Sequence, residues 1–360
     1  MSDKQMKRKK PPKTYDNKFL SGPEYDSSRP GKVQKTGFQP SAALKVPVAG
    51  EPRSYTVSVA IPASIVDGAP TLEMKTILAG QIARILVIFN VDEIVVYEDK
   101  IKPANAKIKA DLFLARLFQH METPQYLRRQ LVPLSSDLKF AGLLPPLDVP
   151  HHPQLHEMTR YREGVTLEKA STAEQGGTLV DVGMYRRVLV DNTLKPNVRV
   201  TVELKDPIAA SETRKGQKPL QGKLVSPKLP REKAGFYWGY NIRLAMSFSR
   251  VITESPYKDG YDFTVGVTDK DGDDMYKGAV NKVKDFNHML IVFGGPAGGL
   301  QEAVEADEDL KCAGEDAAEL FDLFLNPNLG CGTRSVRLEE SMTMVMSVLK
   351  PAIMKHGKKL

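Results

Sequence analysis

At 360 residues, with 41% hydrophobic and 26% charged residues, the chain is long enough for two or three domains with ordinary cores. Its two cysteines, Cys312 and Cys331, exclude a disulfide framework or zinc knuckle. The first residues are charged where a secretory signal would be apolar, and no apolar run reaches the roughly 18 residues that span a bilayer, so a soluble intracellular protein with no membrane partner is expected.

The formal charge of +7 has one source: residues 1–50 hold 11 of the 51 basic residues and 4 of the 44 acidic ones, leaving 40 of each sign elsewhere. This segment, beginning MSDKQMKRKKPPK, is proline-rich and poor in aliphatics, and is expected to be a disordered basic tail. It serves either as a solubilising extension or as an arm for phosphates or nuclear addressing. The folded sequence begins near Tyr55. SYTVSVAIP alternates as a strand, a helix is predicted from Leu72 to Phe89, apolar nearly all round, and EIVVY returns as a strand, giving a βαβ unit. A second helix over AKIKADLFLARLFQHM and a helical extension over TPQYLRRQLVP complete a first α/β segment, residues 51–130.

Residues 131–234 change texture. LVPLSSDLKFAGLLPPLDVPHHPQLH is punctuated by proline and reads as an extended connection. The short pieces GVTLEKA, GTLVDVGMYRRVLV, NVRVTVEL and GKLVSP then predict a small inserted β-barrel or sandwich. Residues 195–233 hold ten basic residues against four acidic ones, which fits an RNA-binding surface or a solvated loop. His151, His152 and His156 lie in the connection without a cysteine or acidic cluster, so no metal site is assigned.

The α/β pattern resumes over residues 235–360. Its strands FTVGV and LIVF are followed by GVTDKDGD and FGGPAGGL, a helix is predicted over AAELFDLFL, and NLGCGTRS precedes the last helix, with Thr333 or Ser335 as its N-cap. Leu338, Met342, Val345 and Leu349 share the core face of that helix. In a parallel sheet such loops share one edge, and glycine lets a ligand rest on main-chain groups. Neither a P-loop nor a dinucleotide fingerprint is present.

GQIARI, GVTDKDG, IVFGGPAGGL and NPNLGCGTRSVRLEES, with LPPLDVPHH ahead of a β insertion, together resemble the SPOUT class of S-adenosylmethionine-dependent RNA methyltransferases, in the branch with an inserted OB-like barrel. The resemblance runs from about Tyr55 to Ile353. It implies an α/β fold with a C-terminal trefoil knot, S-adenosylmethionine as cofactor, S-adenosylhomocysteine as product, and no metal. It carries cofactor binding to Thr268 in the first loop, Gly294, Gly295, Pro296 and Gly298 in the second, and Asn326, Gly330, Gly332, Thr333, Arg334 and Ser335 in the third.

The implied reaction is methylation of ring nitrogen 3 of a uridine in large-subunit ribosomal RNA. Arg84 would orient an RNA phosphate or stabilise a developing anionic base. Glu339 or Glu340 would take the proton from the ring nitrogen, unless they cap the helix or pair with Arg334 or Arg337. The resemblance also implies a homodimer through the knot and last helix, a nuclear, nucleolar and cytoplasmic location, and mitotic spindle or kinetochore partners. One departure is TDKDG in the first loop, where relatives carry TS-x-x-G; it places Asp269 where a hydroxyl is usual. The competing reading is an RNA-binding or mitotic scaffold that keeps the cofactor fold without turnover, and the intact glycine loops favour the enzyme.

Overall fold

The computed structural model describes residues 49–99, 109–155, 157, 159–167, 177–205, 218–296 and 298–359. The tail expected over residues 1–50 lies outside them except for its last two residues, and His156 lies outside them too.

Strand β1 (Thr56–Pro62) is buried along its whole length. It leads through a 3-10 turn into α1 (Leu72–Ile88), where the Thr71 hydroxyl accepts from the Met74 N–H at 3.2 Å and so caps the helix. β2 (Glu93–Tyr97) returns parallel to β1. α2 (Ala110–Glu122) and α3 (Gln125–Leu131) are separated at Thr123-Pro124, because proline has no N–H to continue the helical ladder.

The β insertion contains β3 (Tyr161–Thr166), β4 (Thr178–Asp181), β5 (Val188–Val190), β6 (Arg199–Leu204) and β7 (Leu220–Val225). These close into a barrel in the order β3-β4-β5-β7-β6, antiparallel except for the parallel pair β5–β7. Its interior is an aliphatic plug of Val180, Val182, Val188, Val190, Val202, Leu204 and Leu220. A Cβ on Gly164 would stand 2.4 Å from Val180 Cγ1, so the glycine makes room for that plug.

The chain re-enters the α/β part through α4 (Leu229–Ala234) and β8 (Asn241–Ala245). It continues through α5 (Phe248–Thr253), β9 (Phe263–Val267), β10 (Asp273–Asp274), β11 (His288–Phe293), α6 (Gly299–Glu305), β12 (Leu323–Asn326) and α7 (Leu338–His356). The sheet order is β10-β12-β9-β11-β1-β2-β8, and every pair is parallel. Such a sheet needs cover on both faces. Val59, Ile61, Ile94 and Ile291 face the core shared with α1, α2 and α7, whereas Ala60, Val95 and Val292 face α5 and α6. Met342, Val345, Met346, Leu349 and Ile353 form the buried stripe of α7.

The helix expected over AAELFDLFL is not there: the chain makes a 3-10 turn over Gly314–Leu320 and then strand β12, buried at all four positions. A strand covered on both faces lacks alternation, and its short apolar run is indistinguishable by pattern from a buried helix.

The barrel is held to the α/β part by buried charge. Both Arg199 Nη atoms grip the Glu122 carboxylate at the end of α2, at 2.5 and 2.8 Å, and Arg199 Nε donates to Glu163 at 2.7 Å. Glu163 also accepts from Trp238 Nε1 and Thr201 Oγ1, each at 2.6 Å. His151 Nε2 lies 3.2 Å from the Glu122 carboxylate, and His152 Nε2 lies 2.6 Å from the Glu122 carbonyl, so the paired histidines of LPPLDVPHH tie the connection to the same point. Gly239 belongs to this joint, since a Cβ there would stand 2.5 Å from Glu122 Oε1.

Burial alone would raise the Glu122 pKa, but hydrogen bonds from His151 and Arg199 and the Arg199 charge outweigh it and hold the carboxyl at about 2. Burial, assisted by His151, lowers His152 to about 3. Both folded values lie below the unfolded ones, so both groups stabilise the fold above their unfolded pKa and lose that contribution as pH falls. Urea unfolding should therefore show stability declining from about pH 6.5, where unfolded histidine takes up protons, and more steeply below about pH 4.5 as the Glu122 contribution goes. A Glu122→Gln variant should lose the steeper limb.

Candidate active site

Strands β12, β9 and β11 are adjacent and parallel, so their carboxyl ends deliver three loops to one edge of the sheet. Hydrogen bonds lace these loops together. Thr268 N–H donates to Leu325 O at 3.0 Å, and Gly294 N–H donates to Val267 O at 3.2 Å. The buried Asn326 donates from Nδ2 to Lys270 O at 3.1 Å and accepts from Asn328 N–H at 2.9 Å, spanning the first and third loops. Thr268 Oγ1 donates to Gln301 Oε1 at 3.0 Å, which fixes the first loop to α6.

The loops enclose a cavity of about 260 Å³. Thr268, Gly294, Gly295, Pro296 and Ser335 are in its walls, as are Val267, Asp269, Phe293, Gly299, Pro327, Asn328, Val336, Arg337, Leu338 and Ser341, which motif reading did not assign to a cofactor site. The second loop is glycine for steric reasons. A Cβ on Gly294 would stand 2.5 Å from Leu300 N, and one on Gly295 would stand 2.5 Å from the buried Asp99 carboxylate. Asp99 in turn accepts from the N–H of Ser64 at 3.1 Å and from the Ser64 hydroxyl, and so braces the loop from behind. Gly298, at φ +81°, is the N-cap of α6 rather than a wall residue.

The rest of the third loop is placed differently. Gly330, Gly332, Thr333 and Arg334 are exposed and outside the cavity wall, and a Cβ on Gly330 or Gly332 would meet nothing within 4 Å. Gly330 has φ +80°, which explains that glycine by backbone angle. The last helix starts at Leu338 with Arg337 as N-cap, not at Thr333 or Ser335. Thr333 Oγ1 donates to Ser335 O at 2.9 Å instead. Glu340 accepts from the Arg337 N–H at 2.9 Å, so its carboxylate closes the first turn of α7, and neither it nor Glu339 lines the cavity.

Arg84 is not brought to these loops. α1 starts beyond the carboxyl end of β1 and runs back along the sheet, which puts Arg84 about 18 Å along the helix from Leu72. Its guanidinium donates to Leu147 O at 2.6 Å in a second cavity, of about 520 Å³, whose walls include Tyr55, Val57 and Asn90 at the amino edge of the sheet.

Among the described residues lining the loop cavity, the charged ones are Asp269 and Arg337, one of each sign. Apolar wall from Val267, Phe293, Val336 and Leu338 suits a flat heterocycle. Thr268, Ser335 and Ser341 offer hydroxyls for a polyol, and the opposite charges suit a zwitterionic end group.

A family described as "Putative RNA methyltransferase" matches residues 56–349. The chain belongs to this RNA methyltransferase family. It is 41% identical over 315 residues to a human "28S rRNA (uridine-N(3))-methyltransferase", covering 85% of this chain and 80% of that one. The mouse protein of the same description is 42% identical over 316 residues, covering 85% and 78%. The family match runs from β1 into α7 and takes in the barrel and all three loops. As a member of an RNA methyltransferase family, the chain is an enzyme.

Proposed function

We propose that the chain transfers a methyl group from S-adenosylmethionine to ring nitrogen 3 of a uridine in large-subunit ribosomal RNA, using the cavity formed by the three loops. One observation carries the assignment of the site: the loops after β9, β11 and β12 converge on a single cavity whose second loop has no room for a side chain at Gly294 or Gly295. The substrate follows the relatives described as 28S rRNA (uridine-N(3))-methyltransferases.

The cavity residues fit S-adenosylmethionine. Phe293, Val336 and Leu338 would bound the adenine, the hydroxyls would meet the ribose, and Asp269 and Arg337 would pair with the ammonium and carboxylate of the amino-acid end. The cofactor supplies a methyl carbon on a sulfonium, and transfer to the ring nitrogen is an in-line displacement that depends on alignment. The braced second loop and the laced first and third loops would hold that alignment. Asp269 gains a reason to depart from the hydroxyl usual at this position, since a carboxylate binds an ammonium more strongly than a neutral acceptor does.

The wider reading is a SPOUT fold with a C-terminal trefoil knot and an OB-like barrel. The barrel order, with its third and fifth strands parallel, supports the OB likeness. A homodimer is supported by apolar side chains left open on two neighbouring helices: Met74, Ile77 and Ile88 of α1 and Met354 of α7 are 41–53% exposed. In such a dimer Arg84 would serve the partner's substrate rather than its own cavity.

Isothermal titration with S-adenosylmethionine tests the site. The wild-type chain should bind, and Asp269→Asn and Arg337→Ala should each weaken binding about 10- to 100-fold, the worth of a charge-assisted hydrogen bond. Absence of binding by the wild-type chain would remove this assignment of the cavity.

A further inference from the structure

On the barrel, β4 and β5 are joined by a turn over residues 182–187. Gly183, at φ +73°, lies against the face of Tyr126 on α3, and a Cβ there would stand 2.4 Å from Tyr126 Cγ. The Asp181 carboxylate accepts from Gly183 N–H at 3.0 Å, and the Tyr126 hydroxyl donates to Glu163 O at 2.9 Å. Met184 packs onto the barrel core. The turn is thus fixed from several sides, and it holds Tyr185 outward, 58% exposed.

One exposed tyrosine would mean little. Its surroundings give it meaning. Arg186 donates from Nε to Lys218 O at 2.7 Å, which sets its guanidinium beside the turn. Arg187 follows it, exposed and with no carboxylate partner among the described residues. Arg129 is exposed on α3, one turn from Tyr126 and therefore on the side that meets Gly183. The acid of the turn, Asp181, is committed to the Gly183 N–H. An exposed aromatic ring on a fixed turn, with arginines at the next two positions and another on the adjoining α3, matches an unpaired nucleotide, whose base stacks while its phosphates meet arginine. A duplex hides its base faces and would gain only the charge.

We propose that Tyr185, Arg186 and Arg187 form a platform that docks a single-stranded segment of the RNA substrate outside the methyl-transfer cavity. The inference rests on the proposed function only for naming RNA as the nucleic acid. It predicts two separable signatures in fluorescence anisotropy of the full-length chain with a labelled single-stranded RNA oligonucleotide. Tyr185→Ala should weaken binding about 5- to 100-fold with an unchanged salt slope, whereas Tyr185→Phe should bind as wild type. Arg187→Ala should lower the slope of log affinity against log salt by about 0.7. Tyr185→Ala should bind S-adenosylmethionine normally, and its affinity for a duplex of equal length should not change.

Undiminished single-strand binding by Tyr185→Ala, an equal loss with Tyr185→Phe, or an equal loss for duplex would each overturn the platform. Methyl transfer with RNA binding that ignores this turn would sink the platform and leave the activity standing. Turn-dependent RNA binding by a chain that transfers no methyl group would do the reverse.

Discussion

Replacing Gly294 with alanine should abolish methyl transfer to within about a hundredth of the wild-type rate, while costing only about 1–3 kcal/mol of stability. The added methyl would stand 2.5 Å from Leu300 N and 2.6 Å from Gly299 C, both backbone atoms at the start of α6, so no rotamer relieves the contact. Either the second loop or the first turn of α6 must move. Thr268 is hydrogen-bonded to Gln301 of α6, so a shift there is passed to the first loop as well. Steady-state transfer kinetics beside urea unfolding separate the two effects. A fold that stays intact with activity lost marks the loop as the site, and an active Gly294→Ala enzyme would show that the cavity does not house the chemistry.

Glu122→Ala should lower stability by about 1.5–3 kcal/mol, the worth of the charge-assisted hydrogen bonds it makes, because Arg199 keeps its bond to Glu163. Among the described residues, Arg199 would lose two of its three hydrogen bonds to carboxylates, and His151 its carboxylate neighbour. Thermal unfolding with a double-mutant cycle against Arg199→Met gives the coupling. The pair should be coupled by well over 1 kcal/mol, and additivity would show that the ion pair does not hold the barrel in place. Since the joint fixes the barrel against the α/β part, the single variants should also lose RNA methylation more than cofactor affinity.

The parts of the fold that could be read from the sequence are those with a clear residue alternation or a run long enough to be a helix. β1 alternates Thr56 and Ser58 with Val57 and Val59 in sequence although every position is buried, and Gly80 in GQIARI sits where a Cβ would be 2.8 Å from Pro145 of the LPP segment. β12 could not be read that way, because both its faces are covered and its apolar run carries no period. The joint between barrel and α/β part was hidden for another reason: Glu122 and Arg199 are 77 residues apart, and a local pattern shows neither member to be buried.

The cavity divides along the same lines. Glycine spacing singled out the second loop, where crowding by α6 and Asp99 excludes any larger residue. In the third loop the same letters mean less, since Gly332 has open space around it and no unusual backbone angle. Arg337 looks like an ordinary solvated charge in the sequence, and only the meeting of loops about 70 residues apart puts it in one wall with Asp269.

The most direct measurement incubates undermethylated large-subunit ribosomal RNA with the full-length chain and S-adenosylmethionine carrying an isotopically labelled methyl group, followed by nucleoside mass spectrometry. The expected product is labelled 3-methyluridine with the wild-type chain and almost none with Gly294→Ala. Label absent from RNA with the wild-type chain, or equal label with both, would contradict a methyl-transfer site built from these three loops.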